Sequence, residues 1–157
     1  MLQSPFAFYR GGAAIMAGDL ATTRTSGLRA QLCGDAHLVN FGIFDTPERS
    51  HVFDINDFDE TLPGPWEWDV KRLAASVEVA ARDLGLRKAQ RVAAVKAAAS
   101  GYRERMAELA EMSNLEVWHA RLDVGDVLRM IESKGDEKLA ANLEHDVRKG
   151  MTRNHLT

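Results

Sequence analysis

Apolar residues in the second half of the chain recur every three or four positions, the spacing of one face of an α-helix. A first helix is predicted by the positions Val70, Leu73, Ala74, Val77, Ala80, Ala81 and Leu84. Gly85 follows these positions and is a typical helix stop. A second, longer helix is predicted by Val92, Val95, Ala99, Tyr102, Met106 and Leu109. Asp123 or the pair Gly125 and Asp126 could cap a third helix, and residues 136–149 have the pattern of a fourth.

The first half of the chain has shorter apolar runs, which are broken by glycine, proline and aspartate. The segment "FAFYRGGAAIMAGDLA" predicts an extended start followed by a helix over Ala13–Leu20. The segment "LRAQLCG" alternates as a strand does and stops at Gly34. Because "NFGIF" and "SHVFDIN" flank the turn-forming "DTPERS", residues 41–55 predict a hairpin. The two prolines of "TLPGPW" should then break regular structure.

These patterns predict an α+β fold that is predominantly α-helical and forms a single domain over residues 1–157. A loop and strand region over residues 1–66 would carry the chemistry, and a helical region over residues 67–157 would support it. The length is sufficient to bury a substantial core.

The amino-acid composition of the chain indicates which partners and which cellular location to expect. Apolar residues make up 45% and charged residues 27% of the chain, the mixture of a water-soluble globular protein. The net charge of −3 comes without a basic block, so we expect no nucleic-acid partner. No apolar run is long enough for a membrane span, and a single cysteine fits a reducing compartment, so the expected location is the cytoplasm.

Two polar clusters could carry chemistry: "CGDAHLVN" at residues 33–40 and "NDFDE" at residues 56–60. Asp35 and Asn40 have the Asp-x-x-x-x-Asn spacing of a phosphotransfer loop, in which the acid handles the acceptor hydroxyl and the amide holds a metal. Asp57 follows a predicted strand and could supply a metal carboxylate, with Asp54 as the competing candidate if the motif is shifted in register. Oxygen donors of this kind select hard cations such as Mg²⁺ or Mn²⁺.

Several of these side chains also have simpler interpretations. Asp35 and Asn40 could close a turn through their own backbone, and Asp59 could be either a further metal ligand or a solvated loop acid. His37 could contact a phosphate or stabilise the loop. Arg10, next to two glycines, could bind a phosphate or form a surface salt bridge. Cys33 is better explained as a small buried side chain than as a nucleophile.

The stretch "CGDAHLVNFGIF" resembles the His-Gly-Asp-x-His-x-x-Asn loop of aminoglycoside and choline kinase-like phosphotransferases, and "NDFDETLPGPWEWDVKRLA" resembles the segment that follows it. This resemblance implies the C-terminal lobe of the protein-kinase-like fold, with ATP, Mg²⁺ or Mn²⁺, and a small-molecule hydroxyl acceptor. Asp35 would be the catalytic acid, Asn40 and Asp57 would be metal ligands, and Asp69 would be the structural aspartate that opens the next helix.

A longer resemblance joins "SPFAFYRGGAAIMAGDLA", "CGDAHLVNFG" and "NDFDETLPGPWEWDVKRLAAS", which together are similar to the bacterial family called domain of unknown function 2252. It covers roughly residues 1–120.

The chain also departs from the kinase-like pattern. Cys33 replaces the histidine before Gly-Asp, and the sequence contains neither a Gly-x-Gly-x-x-Gly loop nor a lysine in an apolar strand. We therefore expect a partial catalytic unit that is inactive or weak alone, with possible self-association through the face that a nucleotide lobe would cover. The alternatives are a metal-dependent phosphoesterase that uses Asp35, His37, Asp57 and Asp59, and a non-enzymatic half that binds a partner chain.

Overall fold

The computed structural model describes residues 4–48, 50–133, 135, 137–138, 141–145 and 147 of the chain. The fold is α+β and predominantly helical, as predicted. The elements in chain order are α1 (Pro5–Arg10), α2 (Ala13–Leu20), β1 (Arg29–Leu32), a 3₁₀ turn (Leu38–Asn40), β2 (Phe41–Asp45), β3 (His51–Ile55), β4 (Leu62–Pro65), α3 (Glu67–Asp83), α4 (Lys88–Ala110), α5 (Asn114–His119) and α6 (Val124–Ser133). No helix in this described part combines the length and the apolar character needed to cross a bilayer.

Helices α3 and α4 confirm the predictions made from apolar spacing. Helix α3 ends at Asp83, two residues before Gly85, which has the left-handed φ of +70° expected of a helix stop. Helix α4 covers the second predicted helix and tolerates Gly101 in its interior. Trp66, just before α3, stacks on Tyr102 of α4 with ring centroids 5.6 Å apart. The predicted fourth helix, over residues 136–149, falls partly outside the described residues.

The predicted extended start is wrong, because Pro5–Arg10 forms helix α1. Ser4 has extended backbone angles and its Oγ accepts a hydrogen bond from the backbone N–H of Ala7 at 3.1 Å, which is an N-cap. Pro5 occupies the first helical position, where its missing N–H costs nothing. The capping serine and the proline at the first helical position therefore explain why this segment is helical and not extended.

The predicted break at "TLPGPW" is also wrong, because Leu62–Pro65 forms β4 and pairs antiparallel with β1. In this register Pro63 lies opposite Gln31 and Pro65 lies opposite Arg29. A two-stranded sheet consists of edge strands only, and an edge strand tolerates proline where no ladder N–H is needed. β2 and β3 form the predicted hairpin as a separate two-stranded sheet.

The Cα positions group into two compact units. The first comprises the described residues within Met1–Phe41 and Ile55–Trp118, and its buried apolar residues are Leu20, Leu32, Cys33, Ala36 and Ala81. The second comprises those within Gly42–Asp54 and His119–Thr157. In the second unit, Phe53 N–H donates to the carbonyl of Leu122 at 2.8 Å, and Val124 is buried. Every predicted site residue belongs to the first unit.

Candidate functional site

The loop that follows β1 is shaped by a glycine and by an acid from α3. Gly34 has a φ of +84°, and a Cβ at this position would overlap the carbonyl group of Glu60. Asp69, in the first turn of α3, accepts hydrogen bonds from the backbone N–H groups of Cys33 at 2.8 Å and Gly34 at 3.0 Å. The two bonds fix the direction in which the chain leaves β1, and hence where Asp35 points.

Asp35 forms an ion pair with Arg72, which projects from α3. Arg72 Nε donates to Asp35 Oδ1 at 2.5 Å, and Nη2 contacts the same oxygen. The Arg72 side chain is only 2% exposed, so this is a buried pair. Both bonds go to Oδ1, which leaves Oδ2 as the oxygen of Asp35 with which a ligand could interact.

Arg72 also holds the end of helix α1. Its Nη2 donates to the backbone carbonyls of Tyr9 at 3.2 Å and Arg10 at 3.5 Å. The guanidinium lies over the Tyr9 ring, 4.7 Å from the centroid, and the Tyr9 hydroxyl donates to the Arg72 carbonyl at 2.8 Å. One buried cation thus fixes both Asp35 and the last turn of α1.

His37 is buried beside Asp35. Its Nδ1 accepts a hydrogen bond from Val39 N–H at 3.1 Å, so the ring proton is on Nε2, which lies 3.6 Å from Asp35 Oδ2. Burial lowers the pKa of His37, and the charges of Arg72 and Arg10 act in the same direction, against the opposing effect of Asp35. The imidazole is therefore neutral near pH 7 and supplies a neutral donor.

Asn40 joins the two polar clusters. Its Nδ2 donates to the backbone carbonyls of Asp35 and Asp57, both at 3.1 Å, and approaches Cys33 Sγ at 3.6 Å. The side chain is buried, and its acceptors fix which end of the amide is nitrogen. Among the described residues, no hydrogen bond is made to Oδ1, the atom that could bind a hard cation.

Asp57 is held near Asn40 by the hydrogen bonds of the residue before it, Asn56. The Asn56 backbone N–H donates to the Asn40 carbonyl at 3.0 Å, and the Asn56 side-chain Nδ2 donates to the Val39 carbonyl at 3.3 Å. Asp57 Oδ1 accepts from the backbone N–H of Asp59 at 3.1 Å, a local turn that leaves Oδ2 for a ligand. Asp59 takes part through its backbone, and its side chain is exposed.

These residues surround one polar cleft of about 500 Å³. Its lining residues are Ala7, Arg10, Gly11, Asp35, His37, Val39, Asn40, Asn56 and Asp57. Five predicted site residues therefore meet there, although Arg10 and Asp57 are far apart in sequence. Asp59 and Asp69 are not among the lining residues; Asp69 acts from behind the loop.

The residues of the cleft include oxygen atoms of the kind that magnesium prefers. The described residues contain no group of three or more His, Cys, Asp and Glu side chains placed so that they could hold a metal ion. Mg²⁺ does not need such a group, because it is commonly held by one or two protein oxygens together with water and substrate phosphates. Asn40 Oδ1 and Asp57 Oδ2 would supply two oxygens of the right chemistry.

The sequence patterns did not assign three residues of this arrangement to the site: Arg72, Tyr9 and Ser76. Ser76 is fully buried, and its Oγ accepts from Leu38 N–H at 3.1 Å in the same loop. A signal was present, because Asp69, Arg72 and Ser76 are spaced by three and four positions and share one helix face. The apolar residues of α3 indicated a different face of the helix as the buried one. The two least exposed residues of α3 are instead Arg72 and Ser76, which contact the loop after β1.

Cys33 has the properties of a structural residue. Its thiol is buried, and burial raises its pKa, so the unreactive thiol form prevails near pH 7. The interpretation as a small buried side chain therefore agrees with its environment.

Comparison with known proteins gives one match. The sequence model of the family described as "Uncharacterized protein conserved in bacteria (DUF2252)" matches residues 1–157. No curated protein and no solved structure matches the chain. The longer of the two resemblances seen in the sequence is thus confirmed and extends over the whole chain, which belongs to the DUF2252 family.

Proposed function

We propose that this cleft serves magnesium-dependent phosphoryl transfer from ATP to the hydroxyl of a small molecule. The observation that carries the proposal is the position of Asn40, whose amide nitrogen binds the backbone of both Asp35 and Asp57. This single side chain brings an acid suited to an acceptor hydroxyl next to an acid suited to a metal, and the three residues line one cleft. The order of these groups is that of phosphotransfer loops.

Each residue has a defined task in this proposal. Asp35 Oδ2 accepts the proton of the acceptor hydroxyl, while Arg72 on Oδ1 keeps the carboxylate in a fixed orientation. The acceptor oxygen forms a bond to the γ-phosphorus, the bond from that phosphorus to the β–γ bridging oxygen breaks, and ADP leaves. Asn40 Oδ1 and Asp57 Oδ2 would hold Mg²⁺, which neutralises charge on the phosphates when bound.

Two features favour transfer over the alternative of metal-dependent phosphoester hydrolysis. The hydrolytic proposal relied on a cluster that included Asp59 and His37. Asp59 has an exposed side chain and does not line the cleft. The unprotonated ring nitrogen of His37, Nδ1, already accepts a backbone hydrogen bond from Val39, so the imidazole is poorly placed as a general base.

The first experiment tests whether Asp57 binds a metal ion. Mn²⁺ affinity is measured by calorimetry on the wild-type chain, on Asp57→Asn and on Asp59→Asn, which removes the same charge two residues away. We expect Asp57→Asn to lose about tenfold or more in affinity and Asp59→Asn to lose less than about twofold. Equal affinities in the wild type and Asp57→Asn would exclude the metal role of Asp57.

A second measurement separates transfer from hydrolysis. Affinity for ATP is measured with and without Mg²⁺ in the wild type and Asp57→Asn. The proposal predicts that Mg²⁺ tightens ATP binding only when Asp57 is present. Mn²⁺-dependent hydrolysis of p-nitrophenyl phosphate that needs Asp57, with no effect of Mg²⁺ on ATP binding, would support the hydrolytic alternative instead.

A further inference from the structure

The charges of the cleft are distributed unevenly once the buried ion pair is taken into account. Asp35 is paired with Arg72. The other arginine and aspartate side chains of the cleft lining are the cation Arg10, at the end of α1, and the anion Asp57. None of the ion pairs found among the described residues involves Arg10, so its charge is available to a ligand in the cleft.

The backbone of Arg10 is connected to Asp35 through one buried guanidinium. Arg72 Nη2 donates to the Arg10 carbonyl at 3.5 Å and to the Tyr9 carbonyl at 3.2 Å, while Nε of the same guanidinium holds Asp35. The end of α1 and the acceptor-orienting acid are therefore fixed by one buried group. Asn40 connects to the same acid from the other side, because its Nδ2 donates to the backbone carbonyls of both Asp35 and Asp57.

We propose that Arg10 forms a subsite for an anionic group carried by the acceptor, so that the acceptor is a hydroxyl compound bearing a phosphate or carboxylate. This inference rests on the proposed function, because it assumes that Asp35 orients the acceptor. An acceptor that places its hydroxyl at Asp35 Oδ2 would extend its anion toward Arg10, which lines the same cleft and whose backbone carbonyl accepts a hydrogen bond from the same Arg72. Gly11, beside Arg10 on the lining, has no side chain to obstruct a bulky oxyanion.

The first experiment measures anion binding without metal or nucleotide. Inorganic phosphate and glycerol 3-phosphate, with glycerol as the uncharged comparison, are titrated at low salt into the wild type, Arg10→Gln and Arg103→Gln. Arg103 is an exposed arginine of α4 and serves as the matched charge control. Arg10→Gln should weaken binding of both anions at least about fivefold, whereas Arg103→Gln should not. Equal affinity in Arg10→Gln, or no phosphate binding by the wild type, would overturn the inference.

The second experiment identifies the source of the anion and separates this inference from the proposed function. Mg²⁺–ATP and Mn²⁺ affinities are measured in the wild type and in Arg10→Gln, and both should be unchanged by the substitution. A loss confined to Mg²⁺–ATP would assign Arg10 to the nucleotide and overturn the assignment to the acceptor. If the wild type binds no Mn²⁺ but keeps Arg10-dependent binding of glycerol 3-phosphate, the metal-dependent function fails and the anion subsite stands.

Discussion

At the scale of single residues, Arg72 connects one wall of the cleft to the end of helix α1. It pairs with Asp35, holds the carbonyls at the end of α1 and stacks on Tyr9, all while 2% exposed. Arg72→Met should lower the free energy of unfolding by about 3–5 kcal/mol, because Asp35 would remain as an uncompensated, largely buried charge. Urea denaturation measures this loss.

The control for Arg72 is Arg82→Met on the same helix. Arg82 pairs with Glu78, but its side chain is 66% exposed, so its loss should cost less than about 1 kcal/mol. A loss in Arg72→Met no larger than that in Arg82→Met would show that the buried pair does not support the fold.

Gly34 provides a second test at residue scale, with a matched partner in Gly27. Both have left-handed backbone angles, with φ of +84° and +86°, but only at Gly34 would a Cβ overlap a neighbouring carbonyl. Gly27→Ala should cost about 1–2 kcal/mol from its backbone angle alone. Gly34→Ala should cost about 1–3 kcal/mol more, because the chain near Glu60 must move. Equal losses in thermal unfolding would contradict this account of the loop.

The sequence predicted some site residues better than others for a physical reason. Asp35, Asn40 and Asp57 stand in short motifs whose spacing is itself the signal. Arg72 lies in a helix where charged residues usually face solvent, so only its spacing from Asp69 distinguished it. The predicted metal role of Asp59 came from its place beside Asp57, and it stays a prediction, since spacing could not show which of the two acids lines the cleft.

At the scale of elements, helix α3 connects the loop to the helical part of the first unit. Its first turn holds Asp69, whose carboxylate binds two backbone N–H groups of the loop. Asp69→Ala should lower stability by about 2–4 kcal/mol, since both bonds are made to a charged acceptor. Asp83→Ala, at the other end of α3, should change stability by less than about 0.5 kcal/mol. Similar losses in the two variants under chemical denaturation would contradict the role of Asp69.

Helices and strands could be predicted where a single sequence pattern was long and clear. Helices α3 and α4 have long apolar periodicity, and the hairpin of β2 and β3 has a turn between alternating runs. α1 and β4 were mispredicted because local rules about proline depend on context. Pro5 begins a helix after a capping serine, and Pro63 and Pro65 stand in an edge strand that tolerates them.

At the scale of the whole molecule, His37 should make stability depend on pH. Burial lowers its pKa in the folded chain below the unfolded value of 6.5. The unfolded chain therefore binds more protons in the window just below pH 6.5, and stability is lost as the pH falls through it. The unfolding free energy of the wild type should fall more between pH 7 and pH 5 than that of His37→Gln. Parallel pH profiles for the two proteins would refute this prediction.

The central claim is that Asp35, Asn40 and Asp57 form one metal and acceptor site in the first unit. Paramagnetic broadening by Mn²⁺ in an NMR spectrum of the full chain tests it most directly, because broadening depends steeply on distance from the ion. The account predicts that substoichiometric Mn²⁺ broadens the amide signals of residues 35–40 and 56–57 first, and that Asp57→Asn abolishes this selectivity. Broadening centred elsewhere, or unchanged in Asp57→Asn, would contradict the claim.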